Sequence, residues 1–351
     1  MCDRLVIGER RNADRYSDEE WSGNRKLSYP QIENHRVKRV EFTLTSPFHS
    51  AAGVSTTLIV ATHTDIHHTR KQLSSVILAR KEIMQIKEFR IPLPLEMSEF
   101  RRGLLYSVSE ACKSETGGGE GAEFVKQCDF FDDTTITPGK SLSGIYSYKI
   151  YKVKSKVPWV LQKLLPEEAF EIHEESWNAY PYCKTMLTNP AYMGDGSYLM
   201  IESIHLPDNG KSENPLDIPS PREIIYLDIC DDVMIGEANY QPELDPKIFK
   251  STKTGRGQLR ENWMETSSPI MCAYKVVTAQ FKCMGLGGFI ESTIMKQYSK
   301  IFANFHRNAF CWIDSWYDLT DEELQKFDEE TALLLHKLLH TDERRGVMFD
   351  D

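Results

Sequence analysis

The sequence predicts an α+β domain, a largely antiparallel sheet with long helices packed on it, preceded by a polar N-terminal stretch. Three observations predict this class. Strand-like runs are separated by turn-rich segments rather than by regular helices, which favours antiparallel pairing over a βαβ order. Apolar residues then recur at helical spacing in the C-terminal part. A third amphipathic helix pattern lies just after the first strand.

In chain order, residues 86–92 alternate like a strand. Ser98 is placed to cap a helix carrying Phe100, Leu104, Leu105 and Val108 on one face. Residues 116–121 read as a tight turn and 129–144, rich in Asp, Thr, Pro, Gly and Ser, as an exposed connection. Strands are expected over 144–153, 198–205, 222–230 and 271–283. Phe289, Ile290, Ile294, Ile301, Phe302, Phe305 and Phe310 share a helical face. A last helix starts at Thr320, where Thr320 and Glu323 form a capping box and Leu319 and Leu324 a hydrophobic staple. Its apolar face carries Leu324, Phe327, Thr331, Leu334, Leu335 and Leu338.

Composition breaks near Met84. Residues 1–83 hold 13 Lys and Arg against 10 Asp and Glu, whereas 84–351 hold 29 against 42, within a net charge of −10. Residues 1–83 are therefore expected to form a poorly ordered extension and 84–351 the working domain. So acidic a domain is a poor partner for nucleic-acid phosphates, so no nucleic acid is expected. It cannot rest on an anionic bilayer by charge alone, so any membrane contact must be local and partly apolar. No run approaches a membrane span, and no apolar segment follows the N-terminal charges as in a secretory signal. A cytoplasmic protein with reduced thiols is expected, the eight cysteines forming no C-x-x-C pair.

Familiar catalytic signatures fail on their details. The glycine-rich run 117–121 is followed by Ala122 and Glu123 rather than by a phosphate-loop lysine and hydroxyl. Cys183 and His173 lack the flanking residues of thiol hydrolases, and a packed cysteine is the simpler reading. The histidine-rich stretch 63–68 reads as a solvated loop, so neither metal nor cofactor is expected. More informative are polar residues on apolar strands. Ser147 and Lys149 share one strand face and Lys275 sits among apolar neighbours; each faces either water or a buried anionic or hydrogen-bonding partner.

Five segments in order resemble the phosphatidylinositol transfer protein family: Glu115-Thr-Gly-Gly-Gly-Glu-Gly121, Trp177-Asn-Ala-Tyr-Pro-Tyr-Cys183, Phe249-Lys-Ser-Thr-Lys-Thr-Gly-Arg-Gly257, Met271-Cys-Ala-Tyr-Lys275, and Phe305-His-Arg307 with Phe310-Cys-Trp312. The resemblance covers about 84–351 and implies a START-like, helix-grip fold. In it a concave antiparallel sheet and long helices enclose a lipid cavity, and the C-terminal helix and tail act as a lid. It implies a non-enzymatic carrier of phosphatidylinositol or phosphatidylcholine that touches membranes transiently and peripherally and supports phosphoinositide kinases.

The family holds the inositol ring with Thr, Lys, Asn and Glu; the matching positions are Ser147, Lys149, Asn178 and Asp328, with Glu329 as a substitute for the shorter Asp328. Its phosphate ligands Gln, Thr, Thr and Lys match Leu104, Thr185, Ser203 and Lys275, so the first contact is lost. Cys183, near the headgroup, and the short tail 346–351 resemble class I members; 255–260 is closer to class II members, some of which are linked to phosphatidic acid. The family's membrane-docking Trp-Trp pair matches Cys283 and Met284, so docking is expected to be weaker or shifted to Leu286 and Phe289. Ser251 matches a phosphorylatable serine. A lipid sensor that presents inositol lipid to a kinase, and an enzyme acting through Cys183, are the competing classes.

Overall fold

The computed structural model describes residues 85–345, apart from 158, 193–196, 219–221, 237–239, 281–286 and 344. The expectations for residues 1–83, for Cys283, Met284 and Leu286, and for the tail 346–351 lie outside the described residues.

Eight strands form one sheet: β1 (Gln85–Leu93), β2 (Gly121–Asp133), β3 (Leu142–Lys152), β4 (Glu171–Ala179), β5 (Tyr182–Thr188), β6 (Tyr198–Leu206), β7 (Glu223–Tyr226) and β8 (Met271–Gln280). Their order is β2-β3-β4-β5-β6-β8-β1-β7. Every neighbouring pair is antiparallel except β1 and β7, so the sheet is mixed. Three long helices accompany it: α1 (Met97–Glu115), α2 (Gly287–Cys311) and α3 (Asp321–Leu338). The α+β class read from the sequence is the class observed.

The central strands are the most apolar. In β8, Met271, Ala273 and Val277 are inaccessible, and they join Phe89, Ile91 and Leu93 of β1, Phe100 of α1, Phe310 of α2 and Trp316 in one core. At roughly 25 cal/mol per Å² of apolar surface removed from water, this core supplies the main drive to fold. Helix α1 packs tightly on the core at Gly103, where a Cβ would lie 2.9 Å from the Trp316 ring. Trp316 is itself fixed, its indole N–H donating to the Ala309 carbonyl at 2.8 Å.

Several boundaries differ from the sequence reading. The N-cap of α1 is Glu96, not Ser98, because Glu99 can reach back to the Glu96 amide at 2.9 Å. Residues 129–144 are not all connection: β2 runs on to Asp133 and β3 begins at Leu142, forming a long hairpin. β2 is a polar edge strand, so its alternation carries little hydrophobic signal. The strands β4 and β5 also went unread. The run 222–230 yields only four strand residues, because Leu227 leaves the ladder after its amide reaches the Arg90 carbonyl. For α3 the capping box forms as read, with Thr320 and Glu323 exchanging hydrogen bonds at 2.9 and 3.2 Å. Its buried face is Leu324, Thr331, Ala332, Leu335 and Leu338; Leu334 points outward, one position too far around the helix.

Candidate functional site

Strand register builds the site. Side chains alternate faces along a strand, so residues paired across neighbouring strands share a face. Lys275 pairs with Ser203, Ser203 with Cys183, Cys183 with Asn178, and Asn178 with Ile145, one row across five strands. The next row is Ile201, Thr185, Ser176, Ser147 and Gln127. A third is Leu187, Glu174, Lys149 and Phe124. All of these line one cavity of ≈ 530 Å³ between the sheet and the three long helices.

The helices supply the opposite wall. Leu104, Leu105, Val108, Ser109 and Cys112 come from α1, Tyr298, Ile301, Phe302 and Phe305 from α2, and Asp328 from α3. Helix α3 is fastened over α1 by Arg101–Asp321 at 2.7 Å, by the stacked rings of Tyr106 and Phe327 at 4.8 Å, and by the Lys113 ammonium 4.3 Å from the Phe327 centroid. The cavity is thus apolar along α2 and polar where β3, β4 and α3 meet.

Eight sequence-selected residues, Ser147, Lys149, Asn178, Cys183, Thr185, Ser203, Lys275 and Asp328, all face this space, as does Leu104. Of the two orientations open to Ser147 and Lys149, the inward one is observed. Glu329 is exposed and accepts from Gln325 at 3.0 Å, so Asp328 is the α3 carboxylate that lines the cavity.

The two cavity lysines differ in their partners. Lys149, 4% exposed, donates to Glu174 at 2.8 Å, with its ammonium 5.0 Å from the Phe124 centroid. Burial pulls the ammonium down, but Glu174, together with Cys112 and Asp328, more than offsets that and holds its pKa above the usual lysine range. Among the described residues Lys275 touches no carboxylate; it donates to the Ser203 hydroxyl at 3.3 Å and lies 5.3 Å from the Phe302 centroid. Burial lowers its pKa, with the Cys183 thiol opposing slightly. A half-buried cation without an anion is a site prepared for one.

Cys183 donates to the Asn178 side-chain oxygen at 3.2 Å. Burial pushes its thiol up to about 12, and Lys275 only partly relieves that. A thiol held in its protonated form is a poor nucleophile. His173 cannot serve as its base: it lies on the other face of β4, between Tyr148 and Glu171. Asp328 accepts from the Ser109 hydroxyl and from Gln127 at 3.5 Å, and burial raises its pKa.

Some lining residues were missed. Glu174 and Ser176 are separated from Asn178 by four and two positions, so strand period alone would have put them on its face once β4 was recognised. His205 is inaccessible; its Nδ1 donates to the Pro181 carbonyl at 2.9 Å and its ring stacks on Tyr180 at 5.0 Å. Burial, then Lys275, depress its pKa to about 3, so the imidazole is neutral.

Ser251 is not in the cavity. It is 2% exposed, donates to Asp314, and accepts from the Thr254 amide at 2.9 Å. Asp314 also binds the Thr252 amide and hydroxyl at 2.7 and 2.8 Å, and Arg256 reaches Glu99 of α1. Residues 250–257 are therefore a pinned loop, and a kinase would need it to open. Among the described residues no three His, Cys, Asp or Glu side chains are placed to hold a metal. Among those residues no helix is long and apolar enough to cross a membrane.

A family model described as phosphatidylinositol transfer protein matches residues 84–333. The human phosphatidylinositol transfer protein beta isoform is 44% identical over 270 residues, 74% of this chain and 95% of the relative. The Bos taurus beta isoform is 44% identical over 275 residues, 76% and 98% of the two chains. Phosphatidylinositol transfer protein 5 of Dictyostelium discoideum is 40% identical over 251 residues, 70% and 84% respectively.

Proposed function

The chain belongs to the phosphatidylinositol transfer protein family, and on that premise we propose that it is a carrier which holds one phospholipid in the ≈ 530 Å³ cavity and exchanges it between membranes. The observation that carries this reading is the convergence of side chains from β3, β4, β5, β6, β8 and α3 on one half-apolar space. A lipid leaving a bilayer exposes its chains at about 0.8 kcal/mol per CH₂, and an enclosed apolar wall removes that barrier.

Two headgroup functions are separable. Lys275, with Ser203 and Thr185, binds the phosphate common to every phospholipid; Leu104 offers no hydrogen bond there. Lys149, Ser147, Asn178 and Asp328 bind the inositol ring, whose hydroxyls both donate and accept. Choline needs none of these partners, so phosphatidylcholine is the natural second cargo. The protein performs no chemistry on its lipid, in keeping with a protonated Cys183. It docks peripherally through Cys283 and Met284, works in the cytoplasm, and supplies phosphoinositide kinases.

Mass spectrometry of lipid extracted from the purified protein tests the reading, followed by transfer between labelled donor and unlabelled acceptor vesicles. Phosphatidylinositol and phosphatidylcholine are expected in both. Phosphatidic acid in place of phosphatidylcholine would identify class II behaviour, and a hydrolysed lipid would reveal an enzyme.

A further inference from the structure

Beside the ≈ 530 Å³ cavity lies a second recess, of ≈ 480 Å³, between strand β2 and helix α3. Strand β2 is the last of the sheet, and among the described residues it pairs with β3 alone. Alternate residues of such a strand direct N–H and C=O groups away from the sheet, where they form a template for a further strand. Natural edges are blunted by shortness, proline, bulges or a covering element. β2 has 13 residues and no proline. Its two register shifts, between Phe124 and Lys126 and between Phe130 and Asp133, leave a regular run from Lys126 to Phe130 between them. Helix α3 closes on the start of β2, where Leu335 and Leu338 pack with Ala122, and leaves the regular run flanked by the groove.

The groove has a definite chemistry. Side chains on one face of a strand recur at every second position, and Asp129 stands opposite Ile145, which lines the cavity, so Gln127 and Asp129 share the face that α3 overlies. Asp129 on the strand bank and Glu329 on the helix bank are both exposed. The two cations of the groove are engaged elsewhere: Arg101 with Asp321 at 2.7 Å, and Lys126 with the Tyr146 ring, 5.8 Å from its centroid. The charge left open along the groove is therefore negative. Two positions beyond Asp129, Phe131 lines the same groove with 77% of its surface exposed. A solvated aromatic ring on the rim of a polar recess is an anchor for an apolar side chain.

We propose that the β2 edge and the groove beside α3 form a docking site for an extended peptide of a partner protein. The peptide adds as a further strand and carries a basic residue opposite Asp129, with an apolar residue two positions away opposite Phe131. Backbone hydrogen bonds to β2 supply affinity, and the alternate side chains that point into the groove supply selectivity. The acidic balance of residues 84–351, 42 Asp and Glu against 29 Lys and Arg, steers a basic segment toward this surface. Such docking is independent of which lipid the cavity holds.

The test uses full-length protein and a fluorescent, end-blocked peptide, Thr-Leu-Thr-Lys-Thr-Leu-Thr, whose palindromic sequence presents the required side chains in either strand direction. Its anisotropy should rise saturably with protein, and hydrogen exchange should slow at the β2 amides that do not pair with β3. Exchanging the peptide lysine for glutamate, or Asp129→Lys in the protein, should weaken binding ~5-fold, the size of one exposed charge pair, and the two changes together should restore it. Asp129 is exposed, so the circular dichroism of the variant should match that of the wild type. Methylating the peptide's backbone nitrogens keeps its side chains and charge and should abolish binding. No binding by about 1 mM peptide, equal binding of the lysine and glutamate peptides, or undiminished binding of the methylated peptide each overturns the proposal. Slow exchange at the outward β2 amides before peptide is added overturns it as well. A monomer in sedimentation would then place another segment of this chain on the edge, and a dimer a second copy.

Discussion

At the scale of single residues, the proposed function assigns different cavity residues to what any phospholipid needs and to what inositol needs. Lys149→Ala should abolish phosphatidylinositol transfer while vesicle assays still detect phosphatidylcholine, because its partners Glu174 and Phe124 lie in the row that ends at β2, away from Lys275. Equal loss of both would show that Lys149 serves the fold or the phosphate. A second consequence concerns pH. His205 is neutral in the folded protein with a pKa of about 3, against about 6.5 when unfolded. Between those values the unfolded chain binds more protons. The stability His205 contributes is therefore complete above pH 6.5 and is lost as pH falls toward 3, at about 1.4 kcal/mol per unit. His306, inaccessible and pushed well down by burial and Lys275, acts in the same direction. Urea midpoints should fall steeply between pH 6.5 and 5. His205→Asn, which keeps a donor for the Pro181 carbonyl, should make that fall shallower; an unchanged slope would assign it to other groups.

At the scale of elements, packing decides how closely the helices approach the sheet. Gly103 sits against a Trp316 ring that is inaccessible and hydrogen-bonded in place, so it has little freedom to withdraw. Gly103→Ala gains helix propensity but must displace the ring. Overpacking of this kind typically costs about 1–3 kcal/mol, so thermal unfolding should shift downward. A neutral or raised Tm would mean that α1 slides on the core easily. The same distinction explains what the sequence disclosed. Strands β1 and β8 are buried on both faces along most of their length and were legible as short strand-like runs, and helix α3 was legible because it buries one face and so has a strong period. Edge strand β2 was hidden by its polar residues, and β4 and β5 by polar residues that face the cavity rather than the core. Local pattern assumes that polar means solvent. A strand lining a polar cavity breaks that assumption, and Glu174 was overlooked with β4 for this reason. Family resemblance placed Asn178 and Cys183 because it compares residues directly and needs no period.

At the scale of the whole molecule, the chain divides in composition and in likeness at one place. Residues 1–83 carry a small positive excess and the remainder a large negative one. The family match begins at residue 84, and two relatives have 95% and 98% of their own lengths accounted for by 270 and 275 matched residues. Proteins named for phosphatidylinositol transfer thus consist almost wholly of the part that matches here. Among the described residues, every side chain that lines the cavity lies at or beyond Leu104. A protein beginning at Met84 should therefore fold, retain lipid detectable by mass spectrometry, and transfer it between neutral vesicles at close to the full-length rate. The basic excess of the extension predicts one difference. On vesicles containing anionic lipid, the full-length chain should bind more tightly at low salt, and the gap should close as ionic strength rises, because such attraction is screened within about 8 Å at 0.15 M. If the truncated protein is insoluble or empty, the extension is part of the fold and the boundary at Met84 is misplaced. If it differs from full length equally at low and high salt, the extension acts by some means other than its charge.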